Sequence, residues 1–349
     1  MKERASILTC LIIASAAMGV RAQNPAPLER ASAPATATAW KAPRTPDGHP
    51  DLQGTWLSNT ATPVERPAAL AGRATLTDEE VAKLRARADQ IFGNGGSDFA
   101  SGDAVFLAAL GSGPEQFKTS TATHGAIEMI ERDFDNRTSL VTDPPDGRIP
   151  PLTDEGRRRR TAFAAASQRP DGPEDFDSAF RCVAWNTPRL GGRYGAGDLG
   201  YYQIVQTKDY VVLFMETGHE ARIIPLDGRP HLPAGVGQWN GDSRGHWEGD
   251  TLVIDTTNFS AKSDFMGSHE NLHLTERLTR VSRDVLDYEF TVDDPTTWTA
   301  SWTAMIPLRL KNELIYEYAC HEGNEAIPNM LRGHRYEERE AAATSRAKP

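Results

Sequence analysis

The chain reads as a mainly β protein: an antiparallel up-and-down meander closed into a lipocalin-like (calycin-like) barrel, with an N-terminal helical and irregular segment packed on it. Three observations predict this. From Tyr201 onward, short runs rich in Val, Ile, Thr, Tyr and Trp follow one another. Turn chemistry cuts them at Lys208-Asp209, Asp227-Gly228, Asn240-Gly241-Asp242, Glu248-Gly249-Asp250, Arg283-Asp284 and Lys311-Asn312. Strands joined by such tight turns are antiparallel neighbours, and a ribbon of nine should curl and close on itself to hide its edges. A two-sheet sandwich is the main rival.

The expected strands are 201–207, 210–217, 221–226, 244–247, 251–258, 272–281, 285–292, 298–308 and 313–320. Upstream, Gly54-Thr55-Trp56-Leu57 suggests a first strand. Thr77-Asp78-Glu79-Glu80 is a capping box opening a helix to about Phe92, with Val81, Leu84, Ala88 and Ile91 on one buried face. Residues 93–113, rich in Gly and Ser, predict a loop. The prolines of Asp143-Pro144-Pro145 and Ile149-Pro150-Pro151 forbid a helix and favour an extended segment lying across other structure. A second helix starts near Thr153 and carries Arg157 to Arg160 as a solvated face.

Lys2 and Arg4, the apolar run Ile7–Val20 and the small residue Ala22 form a signal-peptide pattern over residues 1–22. The run is shorter than the ~20 residues that span a bilayer. Export to the periplasm or medium follows, with cleavage near Ala22. Removing three cations (Lys2, Arg4, Arg21) and one anion (Glu3) takes the formal charge from −10 to −12, which gives no electrostatic reason to hold nucleic acid. Residues 23–45 read as a disordered linker, 46–175 as the helical and extended segment, 176–336 as the barrel domain and 337–349 as a disordered tail. No later stretch is apolar enough to span a membrane; a homodimer is left open. In an oxidising compartment Cys182 and Cys320 predict a disulfide from the start of the meander to its last strand.

Charged residues inside otherwise apolar strands are the candidates for chemistry. Glu216 and Arg222 bracket Gly218-His219, Asp255 interrupts Leu252-Val253-Ile254, and Glu317 lies between Tyr316 and Tyr318 with His321 four residues on. A buried carboxylate without a partner costs several kcal/mol, and Arg222, Arg244 and Arg277 are available as partners. The catalytic set is therefore Glu216, His219, Asp255, His273, Glu317 and His321, placed for proton transfer. The binding set adds Arg222, Trp239, Asp242, Arg244, Trp247, Asn258, Arg277, Tyr316 and Tyr318, with the indoles as flat walls for an aromatic ligand. Trp298 and Trp302 read as core. Taken singly, each charge is more economically explained as an outward residue of a half-exposed strand.

His269-Glu270-Asn271-Leu272-His273 matches H-E-x-x-H, which binds zinc when it lies on a helix. Thr275, Thr279 and Val281 favour a strand after it, and Gly267-Ser268 a loop before it. The expectation is a loop and strand rather than a zinc-binding helix, with no metal and no cofactor assigned, and a metal held by His269 and His273 in another geometry stays open.

The blocks Ile223-Ile224-Pro225-Leu226-Asp227-Gly228-Arg229-Pro230-His231, Gly241–Gly245, Trp247–Phe259 and Tyr316–Asn324 resemble those of a large family of exported bacterial proteins over about residues 46–335. The resemblance implies export, a β-rich body and a shared site, and implies no activity. In that family's pattern the position of His269 is usually serine. Three functions follow as expectations: a cofactor-independent hydrolase or lyase for a small, aromatic, plant- or lignin-derived molecule such as an aryl ether; a non-catalytic carrier of an apolar ligand; and a metal-dependent hydrolase using His269 and His273.

Overall fold

The structure, a computed structural model, describes residues 40–92, 102–112, 132–185, 187–188 and 200–347. The expected signal peptide and most of the expected linker lie outside these residues. The strands are β1 (Gly54–Leu57), β2 (Val141–Asp143), β3 (Tyr201–Gln206), β4 (Tyr210–Met215), β5 (Glu220–Pro225), β6 (Asp242–Glu248), β7 (Thr251–Thr257), β8 (His273–Arg280), β9 (Val285–Asp293) and β10 (Trp302–Lys311). Among the described residues they form one antiparallel sheet in the order β5-β4-β3-β1-β10-β9-β8-β7-β6, with β2 paired to β10 off this path.

This is the predicted meander, nearly closed. β1 is a full member of it: Trp56 stands opposite Tyr202 of β3 on one side and Leu310 of β10 on the other. The boundary expected at residue 176 therefore runs through the barrel. On the far side β5 and β6 come together without a hydrogen-bonded ladder, leaving a seam. Gly245 makes that approach feasible, because a Cβ there would stand 2.7 Å from Leu226 and 2.9 Å from Ile224.

Period-2 alternation fixes what points inward. Leu252, Ile254 and Thr256 of β7, Leu274, Glu276 and Leu278 of β8, and Leu286, Tyr288, Phe290 and Val292 of β9 are all buried. With Trp56, Trp302 and Leu308 they fill the barrel as a packed core. Trp298 and Trp302 belong to that core, as expected, and cross edge-to-face at 5.8 Å. Toward one end, Trp56 donates through Nε1 to the Leu52 carbonyl at 2.9 Å, and Arg280 lies 5.3 Å over its ring.

Helix α1 (Asp78–Phe92) opens with the expected capping box: the Glu80 N–H donates to Thr77 Oγ1 at 3.2 Å, and the Thr77 N–H to Glu80 Oε2 at 2.9 Å. It packs on α2 (Gly102–Ala109) through Leu84, Ala88, Val105 and Phe106. The loop predicted over 93–113 is thus corrected in part: Val105, Phe106, Ala108 and Ala109 form an apolar face long enough to bury a two-turn helix. Helix α3 (Asp154–Gln168) is capped by Thr153, whose hydroxyl accepts from the Gly156 N–H at 3.0 Å. Arg157, Arg158 and Arg160 are solvated, while Arg159 donates to Thr297 Oγ1 at 2.6 Å. Extended residues 144–152 lie on the barrel, with Ile149 and Leu152 packed against its core.

Three further expectations are corrected. The last linker residues are ordered, with Arg44 held to Asp250 at 2.8 Å. Residues 337–347 belong to α4 (Ala326–Ala347), a helix with an apolar stripe rather than a disordered tail. The strand expected at 313–320 is absent, and the segment runs irregularly with Leu314 and Tyr316 exposed. Its residues favour a strand, but β9 and β1 already occupy both edges of β10, so the chain leaves β10 with no neighbouring edge to join.

The disulfide forms as predicted, Cys182 to Cys320 with Cα atoms 5.7 Å apart. No helix among the described residues is long and apolar enough to cross a membrane.

Candidate functional site at the barrel seam

The inward charge of the barrel is a pair that only half appears among the candidates. Arg222 of β5 faces Glu276 of β8 in two parallel bonds, Nη1 to Oε1 at 2.9 Å and Nη2 to Oε2 at 2.6 Å. Nη2 also donates to Ser243 Oγ at 3.0 Å and Thr256 Oγ1 at 3.2 Å. The Tyr288 hydroxyl donates to Glu276 Oε1 at 2.6 Å. Burial, then the charge of Glu276, pushes the Tyr288 phenol well above its ordinary value, so it remains a donor. Burial would lower Arg222, but the Glu276 carboxylate outweighs it and keeps the guanidinium charged. Among the described residues the buried Nε of Arg222 has no acceptor, an imbalance that asks for an explanation.

Two spaces meet at this guanidinium. An inner pocket has walls from Tyr202, Leu213, Met215 and Leu308 around Arg222, Glu276 and Tyr288, with free space of only about 20 Å³, on the scale of a water molecule. Outside it, along the seam, runs a cleft of about 570 Å³ between Ala221–Ile223 of β5 and residues 237–243. The predicted wall residue Trp239 lines this cleft, with Asp242 and Ser243. The cleft falls in the size range of small-molecule sites.

Asp242 is also the head of a polar chain on the outer face. His231 Nδ1 lies 3.1 Å from Asp242 Oδ2, His231 Nε2 lies 2.8 Å from Asp255 Oδ1, and His273 Nε2 lies 2.5 Å from Asp255 Oδ2. His231 thus has a carboxylate oxygen within hydrogen-bond reach of each ring nitrogen. Burial raises the Asp242 carboxyl, but the Leu232 N–H, Arg244 and His231 together hold it below its usual range. Arg244 Nη1 donates to Asp242 Oδ1 at 2.6 Å. Asn258, in the left-handed region at φ 54°, donates to the Leu232 carbonyl at 2.8 Å and so fixes the loop that carries His231.

The predicted residues thus separate into groups. Asp242, Arg244, Asp255, His273 and Asn258 come together, while Arg222 and Trp239 stand nearby at the seam. The shared hollow expected for Glu216, Asp255 and Glu317 is not formed. Asp255 points outward because its neighbours Ile254 and Thr256 take the inward positions of β7. Glu216 is buried at the end of β4 beside Tyr201, whose hydroxyl is pushed up by burial, by Glu313 and by Glu216. Glu317, Tyr316 and His321 are exposed on the irregular segment, and Tyr318 meets Trp185 edge-on at 5.4 Å. The side chain of His219 lies outside the described residues. Arg277 is outward and pairs with Glu248 at 2.9 Å. Trp247 does not wall a ligand space; it stacks on His49 at 4.7 Å.

The H-E-x-x-H segment does not lie on a helix. Residues 269–272 form a turn and His273 opens β8; His269 bonds the Ser263 carbonyl, whereas His273 bonds Asp255. Among the described residues no three His, Cys, Asp or Glu side chains are grouped to hold a metal ion.

Sequence reasoning missed Glu276, Tyr288 and His231. Glu276 was legible in principle, since Leu274-x-Glu276-x-Leu278 places it in the apolar register of β8. No family model matches the chain, and no curated protein is significantly similar to it.

Proposed function

We propose that this is an exported, cofactor-independent enzyme, a hydrolase or lyase, that binds a small ring-bearing molecule in the seam cleft and acts on it by acid–base chemistry. The observation that carries the reading is the buried Arg222 guanidinium, which lines both spaces and keeps one N–H without an acceptor. An oxygen of the ligand would complete that donor set, and a developing oxyanion would be stabilised there by a charge that needs no reorganisation. Trp239 offers a flat wall for the ring. Asp242, held ionised, lines the cleft, and its contact with His231 connects it to Asp255 and the half-exposed His273 as a path for protons. We read the nearly closed sheet as a calycin-like barrel, and the disulfide as support for an oxidising compartment. The resemblance to exported bacterial proteins fits both.

A second reading, a non-catalytic carrier, is favoured by the apolar share of the seam cleft, where Ala221, Ile223 and Trp239 stand among the lining residues.

Both are tested on the mature protein with a panel of aryl ethers and aryl esters, following turnover and Trp fluorescence. Saturable quenching with product release, lost in Trp239→Ala and in the paired variant Arg222→Met with Glu276→Leu, is expected. Quenching without product selects the carrier. Neither quenching nor product with any compound removes the site.

A further inference from the structure

A second cleft opens apart from the seam, with no lining residue in common with the seam cleft. It lies between α3 and residues 264–269 and is lined by Arg160, Phe163, Asp177, Asp264, Met266 and His269, with about 210 Å³ of free space. Its floor is a two-residue turn. Phe265 and Ser268 exchange backbone bonds at 2.9 and 3.0 Å, and Met266 and Gly267 between them take φ of 56° and 93°, the conformation of a type I′ turn. A methionine is strained there, and Met266 and Phe163 both line the cleft.

The tautomer of His269 follows from its contacts. Nδ1 is bonded to the Ser263 carbonyl, and a carbonyl only accepts, so Nδ1 carries a proton, and in the neutral ring Nε2 is the acceptor. Nε2 faces Asp264 Oδ1 across 4.0 Å, too far for a direct bond. Asp264 Oδ1 is already occupied by the Gly267 N–H at 2.8 Å. Burial raises the Asp264 carboxyl, with Asp177 adding to this and His269 and Arg160 opposing it.

We infer that this cleft binds a phenolic ligand, whose hydroxyl donates to His269 Nε2 while its ring lies between Phe163 and Met266. The geometry selects a hydroxyl because the neutral imidazole presents an acceptor at Nε2 and the 4.0 Å gap to Asp264 leaves room for one oxygen. Arg160 supplies the positive charge that a phenol's partial negative oxygen favours. A ring suits the apolar pair, and sulfur–aromatic contact adds to it. This site is independent of the seam: Arg222 and Glu276 take no part in it.

The test uses the mature protein labelled with ¹⁵N-histidine, titrated with phenol, anisole and benzoate. Phenol is expected to shift the His269 ring signals saturably, with anisole binding about ten-fold more weakly, since it lacks the donor. His269→Phe should abolish the difference between phenol and anisole, and Phe163→Ala should weaken both. The paired variant at Arg222 and Glu276 should bind phenol here unchanged, which separates this site from the seam. Equal affinity for phenol and anisole in the wild-type protein, tighter binding of benzoate than phenol, or no shift at His269, overturns the inference without need of any variant.

Discussion

Arg222 and Glu276 form a bidentate ion pair inside the barrel, with side chains 7% and 0% exposed. Removing one partner leaves the other charge buried, which costs about 3–5 kcal/mol. Glu276→Ala should lower stability by that amount in urea unfolding. Arg222→Met with Glu276→Leu should cost far less than the single change, because two apolar groups leave no charge behind. Equal losses in the single and paired variants would show that the ion pair contributes little.

Asp242 couples the seam to the outer-face histidines, so it should shape the acid limb of stability. Its folded-state value lies below the unfolded one. The stabilisation it contributes is therefore complete above the unfolded value of about 3.9 and is lost as pH falls through the folded value. Asp242→Asn should cost about 2 kcal/mol near neutrality, the scale of charge-assisted hydrogen bonds, and flatten the fall in melting temperature between pH 5 and pH 2. An acid limb as steep as that of the wild-type protein would place the dependence elsewhere.

Gly156 inverts an ordinary rule. Glycine to alanine within a helix stabilises by about 1 kcal/mol, yet a Cβ at Gly156 would stand 2.6 Å from the Thr297 carbonyl oxygen, a backbone atom. Gly156→Ala should destabilise by about 1–3 kcal/mol, read as a lower melting temperature. Gly172→Ala, where nothing stands within 4 Å, is the control and should change little.

Cys182 and Cys320 are 138 residues apart in sequence, and a bridge across so long a loop restricts the unfolded chain strongly. Reducing it, or replacing both residues with serine, should cost about 2–5 kcal/mol. The irregular segment that carries Tyr316 and Glu317 should become sensitive to protease before the barrel does. Unchanged cleavage there would mean that other contacts hold it.

The strands were legible because turn residues and period-2 alternation repeat with little interruption from Tyr201 to Leu310. The site was less so, for reasons that differ residue by residue. Asp255 looks exceptional beside Leu252-Val253-Ile254, yet alternation alone sends it outward, and only the distant His231 and His273 give it partners. Glu276 is the reverse case: it reads as an ordinary surface charge between Thr275 and Arg277, though the pleat carries it to the core. His231 sits in a loop, where no period marks direction. The segment after β10 has strand-forming residues and no free edge, a fact about pairing order that local sequence does not contain.

β1 bridges the two arms of the sheet, with Trp56 between Tyr202 and Leu310. The sheet is thus fastened by four residues near the start of the described residues to strands near its middle and end. During synthesis these residues emerge early and must wait for nearly all the rest before they have a place to dock. Closure is therefore a late, non-local event, the kind that slows folding most, and until it occurs the flanking edges of β3 and β10 lie open to pairing with other chains.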